Sequence, residues 1–200
     1  MSSNSCLITN ARIVNDGVIT EGDVRVADGR IKSIGAQLSA AANETVIDAE
    51  GAWLLPGMID DQVHFREPGL TAKGDMATES AAAVAGGITS FMEMPNVKPP
   101  TTNLQALEDK YARAAGRASA NYAFYLGATN DNIDEIRAVS PEQSCGIKVF
   151  MGASTGSMLV DNEETLEQIF ADSPLLIATH CEDTPLINVN EAAAREKYGE

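Results

Sequence analysis

Histidine, cysteine and basic residues are all scarce in this sequence: two His, three Cys, and 14 Lys and Arg against 29 Asp and Glu in 200 positions. Each scarcity excludes something. The shortage of basic residues leaves a formal charge of −15. A surface that acidic repels nucleic acid and anionic membrane, so neither is an expected partner. Cys6, Cys145 and Cys181 are odd in number and share no tight spacing, which argues against a disulfide framework and fits a reducing cytoplasm. No apolar run is long enough to span a bilayer. The opening residues, Met1 to Ser5, lack the basic stretch and apolar run of a signal peptide. What is present is ordinary: 44% apolar and 22% charged residues, as in soluble proteins. The length suits one domain, or a small domain plus part of a larger one.

The hydrophobic rhythm changes near Pro56. Before it, Leu7–Val14, Asp23–Ala27, Ile31–Ile34 and Thr45–Ala49 read as short strands, with Asn15-Asp16-Gly17 and Asp28-Gly29 as tight turns between the first three. They predict a small antiparallel β unit. After it, strands at Met58–Phe65, Ile88–Glu93, Tyr122–Leu126, Gly146–Met151 and Leu175–His180 alternate with helices at Met76–Ala85, Leu104–Ala115, Ile133–Val139 and Glu163–Phe170, and a last helix opens at Thr184-Pro185. Five strands alternating with helices predict parallel βαβ units. An open doubly wound sheet could be complete at this length, whereas a TIM barrel needs about 250 residues.

Chemistry-bearing residues gather at strand ends. In Gln62-Val63-His64-Phe65-Arg66, strand alternation places Gln62, His64 and Arg66 on one face and Val63 and Phe65 on the other. An isolated histidine beside a surface ion pair is the plain alternative. His180, the other histidine, closes the fifth strand, so parallel strands would put both on one rim. Cys181 is expected to face away and pack. Lys148 sits within an apolar strand, which is costly unless the amine is paired, chemically altered or able to snorkel. Reaction with carbon dioxide would give a carbamate with two oxygens. Asn96 follows the second strand and, with Arg66, could bind a substrate carboxylate, or else form a turn. Gly152-Ala153-Ser154-Thr155-Gly156 matches a G-x-S-x-G elbow and supports a rival serine-hydrolase reading. Yet His180 follows Ser154 too soon to leave room for the acid strand of that fold.

The segments Pro56 to Gly69, Ala83 to Thr89, Met94-Pro95-Asn96, Lys148 to Met151 and His180-Cys181-Glu182-Asp183 together resemble the dihydroorotases and their allantoinase and hydantoinase relatives, in the same order along the chain. The likeness runs from about Cys6 onward. It implies an α/β fold: residues 1–55 as a β-sandwich segment and residues 56–200 as the first part of a (β/α)8 TIM barrel of the metal-dependent amidohydrolase type. It further implies a site for one or two zinc ions held by His64, Lys148 as a carboxylated bridge, and His180, with Arg66 and Asn96 gripping the substrate. A general-base aspartate and a further histidine ligand would lie beyond residue 200, in a longer protein. Gln62 departs from the family, which has a histidine there, and glutamine oxygen is a weaker zinc donor than imidazole. The implied activity is hydrolysis of a cyclic amide, dihydroorotate to and from N-carbamoyl-aspartate, in pyrimidine biosynthesis. The protein would be a cytoplasmic homo-oligomer acting on a small molecule. Allantoinase or hydantoinase activity is the enzymatic alternative. The non-enzymatic one is a metal-poor structural partner of aspartate transcarbamoylase.

Overall fold

The computed structural model describes residues 5–152 and 158–199. The chain divides into two compact units, Met1–Gly57 and Met58–Glu200, each built on its own sheet.

In the first unit, β1 (Ser5–Asn15), β2 (Val18–Ala27) and β3 (Arg30–Gly35) form two antiparallel hairpins. Their turns, Asp16-Gly17 and Asp28-Gly29, have positive φ at both residues. That conformation matches the natural twist of the flanking strands and suits Asp-Gly. The unit is not wholly antiparallel, as its sequence had suggested. β4 (Thr45–Asp48) and β5 (Trp53–Leu54) both pair in parallel with β1. Residues 36–44 carry the chain back before β4 begins, and side-chain alternation is the same for either direction of pairing. Asp23, buried, accepts the N–H of Asn10 at 2.9 Å and of Leu38 at 2.8 Å. It thereby braces the β1 irregularity between Ile8 and Ala11, where Asn10 has φ 54°.

The second unit alternates strictly: β6 (Met58–Val63), α1 (Met76–Ala85), β7 (Ile88–Glu93), α2 (Leu104–Ala114), β8 (Asn121–Gly127), α3 (Ile133–Ala138), β9 (Gly146–Phe150), α4 (Glu163–Asp172), β10 (Ile177–His180) and α5 (Thr184–Tyr198). The five strands are parallel and lie in sequence order, β6 to β10, with no reversal. A doubly wound sheet reverses its strand order at a switch point. The unbroken order is that of the opening strands of a (β/α)8 barrel. No helix among the described residues is long and apolar enough to cross a membrane.

Helix ends follow local chemistry. Asp75 caps α1 by accepting the N–H of Ala77 and Thr78, and the Thr78 side chain completes a capping box. Gly87, at φ 89°, takes the left-handed position just past the helix. The core lies between sheet and helices. Val63, Phe91, Phe124, Leu126, Ile147 and Val149 meet Met76, Leu107, Ala114, Ile136 and Ile169. Phe65 packs on Phe91 with ring centres 4.6 Å apart. These buried faces leave the opposite sheet face and the strand ends to carry polar groups.

Candidate functional site

Because β6 to β10 are parallel, their C-terminal ends share one rim. Every residue singled out from the sequence lies at or just beyond such an end, apart from Lys148, which sits two residues inside β9. Ser154 falls outside the described residues.

β6 ends at Val63 rather than at Phe65. The Val63 carbonyl accepts the Met94 N–H at 3.0 Å, and Arg66 then turns to φ 70°. A residue in the left-handed region cannot continue a strand. The alternation therefore holds only as far as Phe65: Val63 and Phe65 are buried, while Gln62 and His64 are exposed. Arg66, half-buried, is aimed by its turn and not by the strand.

Although His64 is exposed as a residue, partial desolvation of its ring lowers its pKa, and the Arg66 guanidinium adds to this; the Asn96 side chain opposes it, and the charges of Lys148 and Lys110 press the same way as Arg66. The neutral ring that results is the form able to ligate a metal. Arg66, Asn96 and Lys148 are thus near enough to act on the His64 ring. Asn96 has a buried Oδ1 without a hydrogen-bond partner among the described residues. Buried polar atoms are rarely left so.

Lys148 is 2% exposed. Its Nζ lies 4.9 Å above the Phe150 ring, and no carboxylate pairs with it among the described residues. Burial lowers its pKa, only partly opposed by nearby Cys181. Across the ladder, Ala178 stands opposite Lys148 and His180 opposite Phe150. With strand period two, Lys148, Phe150 and His180 share one face. The Phe150 and His180 rings stack, 6.1 Å apart. His180 Nε2 lies 2.9 Å from Glu182 Oε2. Cys181, expected to pack, is instead exposed, its Sγ 2.7 Å from Thr179 Oγ1.

Three residues escaped the sequence reading. Glu182 follows His180 by two positions and could have been suspected from that spacing alone. Glu93 and Lys110 form a fully buried ion pair, with Nζ 2.8 Å from Oε2. Lys110 lies three residues after Leu107 and four before Ala114, both buried, so helical spacing marked it as inward-facing despite its charge.

Among the described residues, no three His, Cys, Asp or Glu side chains cluster closely enough to hold a metal ion. The fit to a metal rests on other donors. A buried amine at Lys148 with no carboxylate beside it among the described residues is open to conversion to an anionic group, and Glu182 Oε2 already faces His180 Nε2. Among the described residues, His64, Lys148 and His180 lie at or near the C-terminal ends of β6, β9 and β10.

Comparison with known proteins identifies the family of this fold. Residues 51–198 match the family described as dihydro-orotase-like. The chain is 37% identical over 183 residues to a dihydroorotase of Methanosarcina acetivorans, covering 88% of this chain and 38% of that protein. It is 34% identical over 186 residues to an L-hydantoinase of Paenarthrobacter aurescens, covering 90% and 41%. Among solved structures, an L-hydantoinase (dihydropyrimidinase) from Arthrobacter aurescens superposes with a TM-score of 0.89 at 32% identity, over 97% of this chain and 44% of that one. The chain therefore spans about two fifths of the length of these relatives, and over that span it belongs to the dihydroorotase-like family.

Proposed function

We propose that the complete protein is a dihydroorotase, which hydrolyses the cyclic amide of dihydroorotate to N-carbamoyl-aspartate and also closes that ring, in pyrimidine biosynthesis. The carrying observation is Lys148: a buried amine, lowered in pKa and without an anionic partner among the described residues, on the same rim as both histidines. In its neutral form the amine can attack carbon dioxide. The N–C bond forms, one N–H proton leaves to solvent, and a carbamate anion remains. That product ends the mismatch between a cationic side chain and a buried position.

His64, carboxylated Lys148 and His180 would hold one or two zinc ions, with Gln62 at most a weak further donor. Zinc bound there would polarise the ring carbonyl and acidify an attacking water. The neutral state of His64 keeps its lone pair available. Arg66 and Asn96 would hold the free carboxylate of dihydroorotate, Arg66 with a two-point grip, and so keep the ring amide aligned for attack. Proton transfer to the leaving nitrogen falls to an aspartate expected beyond residue 200. On this reading residues 1–55 open a β-sandwich, and the protein works as a cytoplasmic homo-oligomer on a small molecule.

Relatives named dihydroorotase support the substrate. The TM-score of 0.89 to an L-hydantoinase favours a second enzymatic reading, in which the ring lacks the carboxylate that Arg66 and Asn96 would grip. Gln62, standing where the family resemblance calls for histidine, favours a third, a scaffold for aspartate transcarbamoylase. One assay separates them. The purified complete protein is given dihydroorotate, allantoin and hydantoins in parallel, with bound metal measured by elemental analysis. Preferred turnover of dihydroorotate, abolished by chelation and restored by zinc, is expected. Preferred turnover of an uncharged ring would replace this reading with the allantoinase or hydantoinase one, according to the ring, and no turnover of any ring with no bound metal would leave the scaffold.

A further inference from the structure

The buried pair Glu93–Lys110 lies on the helix side of the sheet, outside the group of residues given roles above. Glu93 ends β7 and is opposite Val63 in the β6–β7 ladder. Its side chain is wholly buried, and that of Lys110 is 1% exposed. Val63, its ladder partner, precedes Phe65 and Arg66 by two and three residues, and the backbone of those two favours the ionised Glu93 carboxylate. No well-aligned hydrogen bond reaches either Glu93 oxygen among the described residues, so the hold is chiefly charge on charge. From the other partner, Lys110 Nζ donates to the Met94 carbonyl at 3.1 Å and lies 5.1 Å over the Phe124 ring.

One pair thus touches two segments. Through the ladder pairing of Glu93 with Val63 it meets the end of β6, from which the chain enters the turn that aims Arg66, a residue held at φ 70°. Through Met94 it meets the segment that ends in Asn96. Burial works against both charges, pushing Glu93 up and Lys110 down in pKa. An apolar pair of similar size would be no less stable there, so stability alone does not account for it. What a charged pair adds is direction, since it holds named backbone groups in register.

We infer that the Glu93–Lys110 pair is a positioning device that sets the separation of Arg66 and Asn96, and through it the recognition of a substrate carboxylate. The inference rests on the dihydroorotase reading and deepens it: the pair touches no substrate and acts through the two residues that do.

The test uses the complete protein carrying Glu93→Gln and Lys110→Met together, which removes both charges and leaves no lone buried ion. KM for dihydroorotate should rise about tenfold or more while kcat stays within about threefold, because binding alone is loosened. The double variant should still fold, as its far-ultraviolet circular dichroism would show. An unchanged KM in a folded double variant overturns the inference and leaves the parent reading intact. A wild-type protein that neither binds nor turns over dihydroorotate overturns the parent reading, and the inference with it. Should the double variant fail to fold, Lys110→Arg carries the test, since it keeps the charge but moves the donor. A raised KM at unchanged kcat supports the inference, and an unchanged KM overturns it.

Discussion

Phe150 and His180 stand opposite each other in the β9–β10 ladder with rings 6.1 Å apart and 27° from parallel. The same phenyl ring lies under Lys148 Nζ at 4.9 Å. One apolar side chain therefore fixes two groups proposed to share a metal. Outer-shell partners of this kind typically alter metal affinity by about 10–100-fold when removed. Phe150→Leu keeps most of the apolar volume but gives up the flat surface. Zinc affinity of the complete protein should fall within that range, read by competition with a chelator, while the far-ultraviolet circular dichroism stays unchanged. Wild-type affinity in this variant would remove Phe150 from the site.

Lys148→Met separates structure from chemistry at one position. The methionine fills similar space and removes a buried amine that has no anionic partner among the described residues. Stability should hold or improve, as removing an uncompensated buried polar group generally allows. Turnover should drop by at least about a hundredfold, because the proposed bridging anion is lost. Urea unfolding and a dihydroorotate assay on the same preparation give both readings. Retained turnover would mean that the amine has no part in the reaction.

Much of this arrangement was legible in the sequence, because the signals were periodic. Alternating strands and helices gave the parallel sheet, and the two histidines marked its rim. What escaped was set by contacts between distant segments. Arg66 left the strand face because its turn takes φ 70° beside Glu93, which no local pattern announces. Lys110 carries no apolar signal of its own, although Leu107 and Ala114 mark its helix face as inward. β4 runs parallel to β1 because of the path of residues 36–44, and its own four residues hold no trace of that direction.

Acid should weaken the first unit through Glu44. Hydrogen bonds from Arg25, Ala41 and Ser5 hold its carboxyl at about 2, below its ordinary 4.5. A depressed carboxylate adds stability that is fully present above the unfolded value and is lost as pH falls toward the folded one. Glu44→Gln should therefore be less stable than wild type at neutral pH. The gap should close between about pH 4.5 and pH 2, the window those two values set. Trp53, the single tryptophan of this chain, lies in β5 and reports unfolding of that unit by fluorescence. A gap that persists unchanged at pH 2 would mean that the Arg25 contact is not what depresses the carboxyl.

Gln62→His tests whether one side chain limits the metal site. Gln62 lies in β6, exposed, two residues before His64. Zinc in proteins prefers imidazole nitrogen to amide oxygen, so the change replaces a weak donor with a strong one on the same strand. Zinc should bind at least about tenfold tighter, the lower end of what single changes around such sites achieve. Because the residue is exposed, the melting temperature without metal should barely move, and any gain on adding zinc follows from binding to the folded state alone. Chelator competition and melting curves with and without zinc measure the two effects. If affinity does not change, position 62 does not reach the metal, and the departure from the family at this residue does not bear on whether the protein is an enzyme or a scaffold.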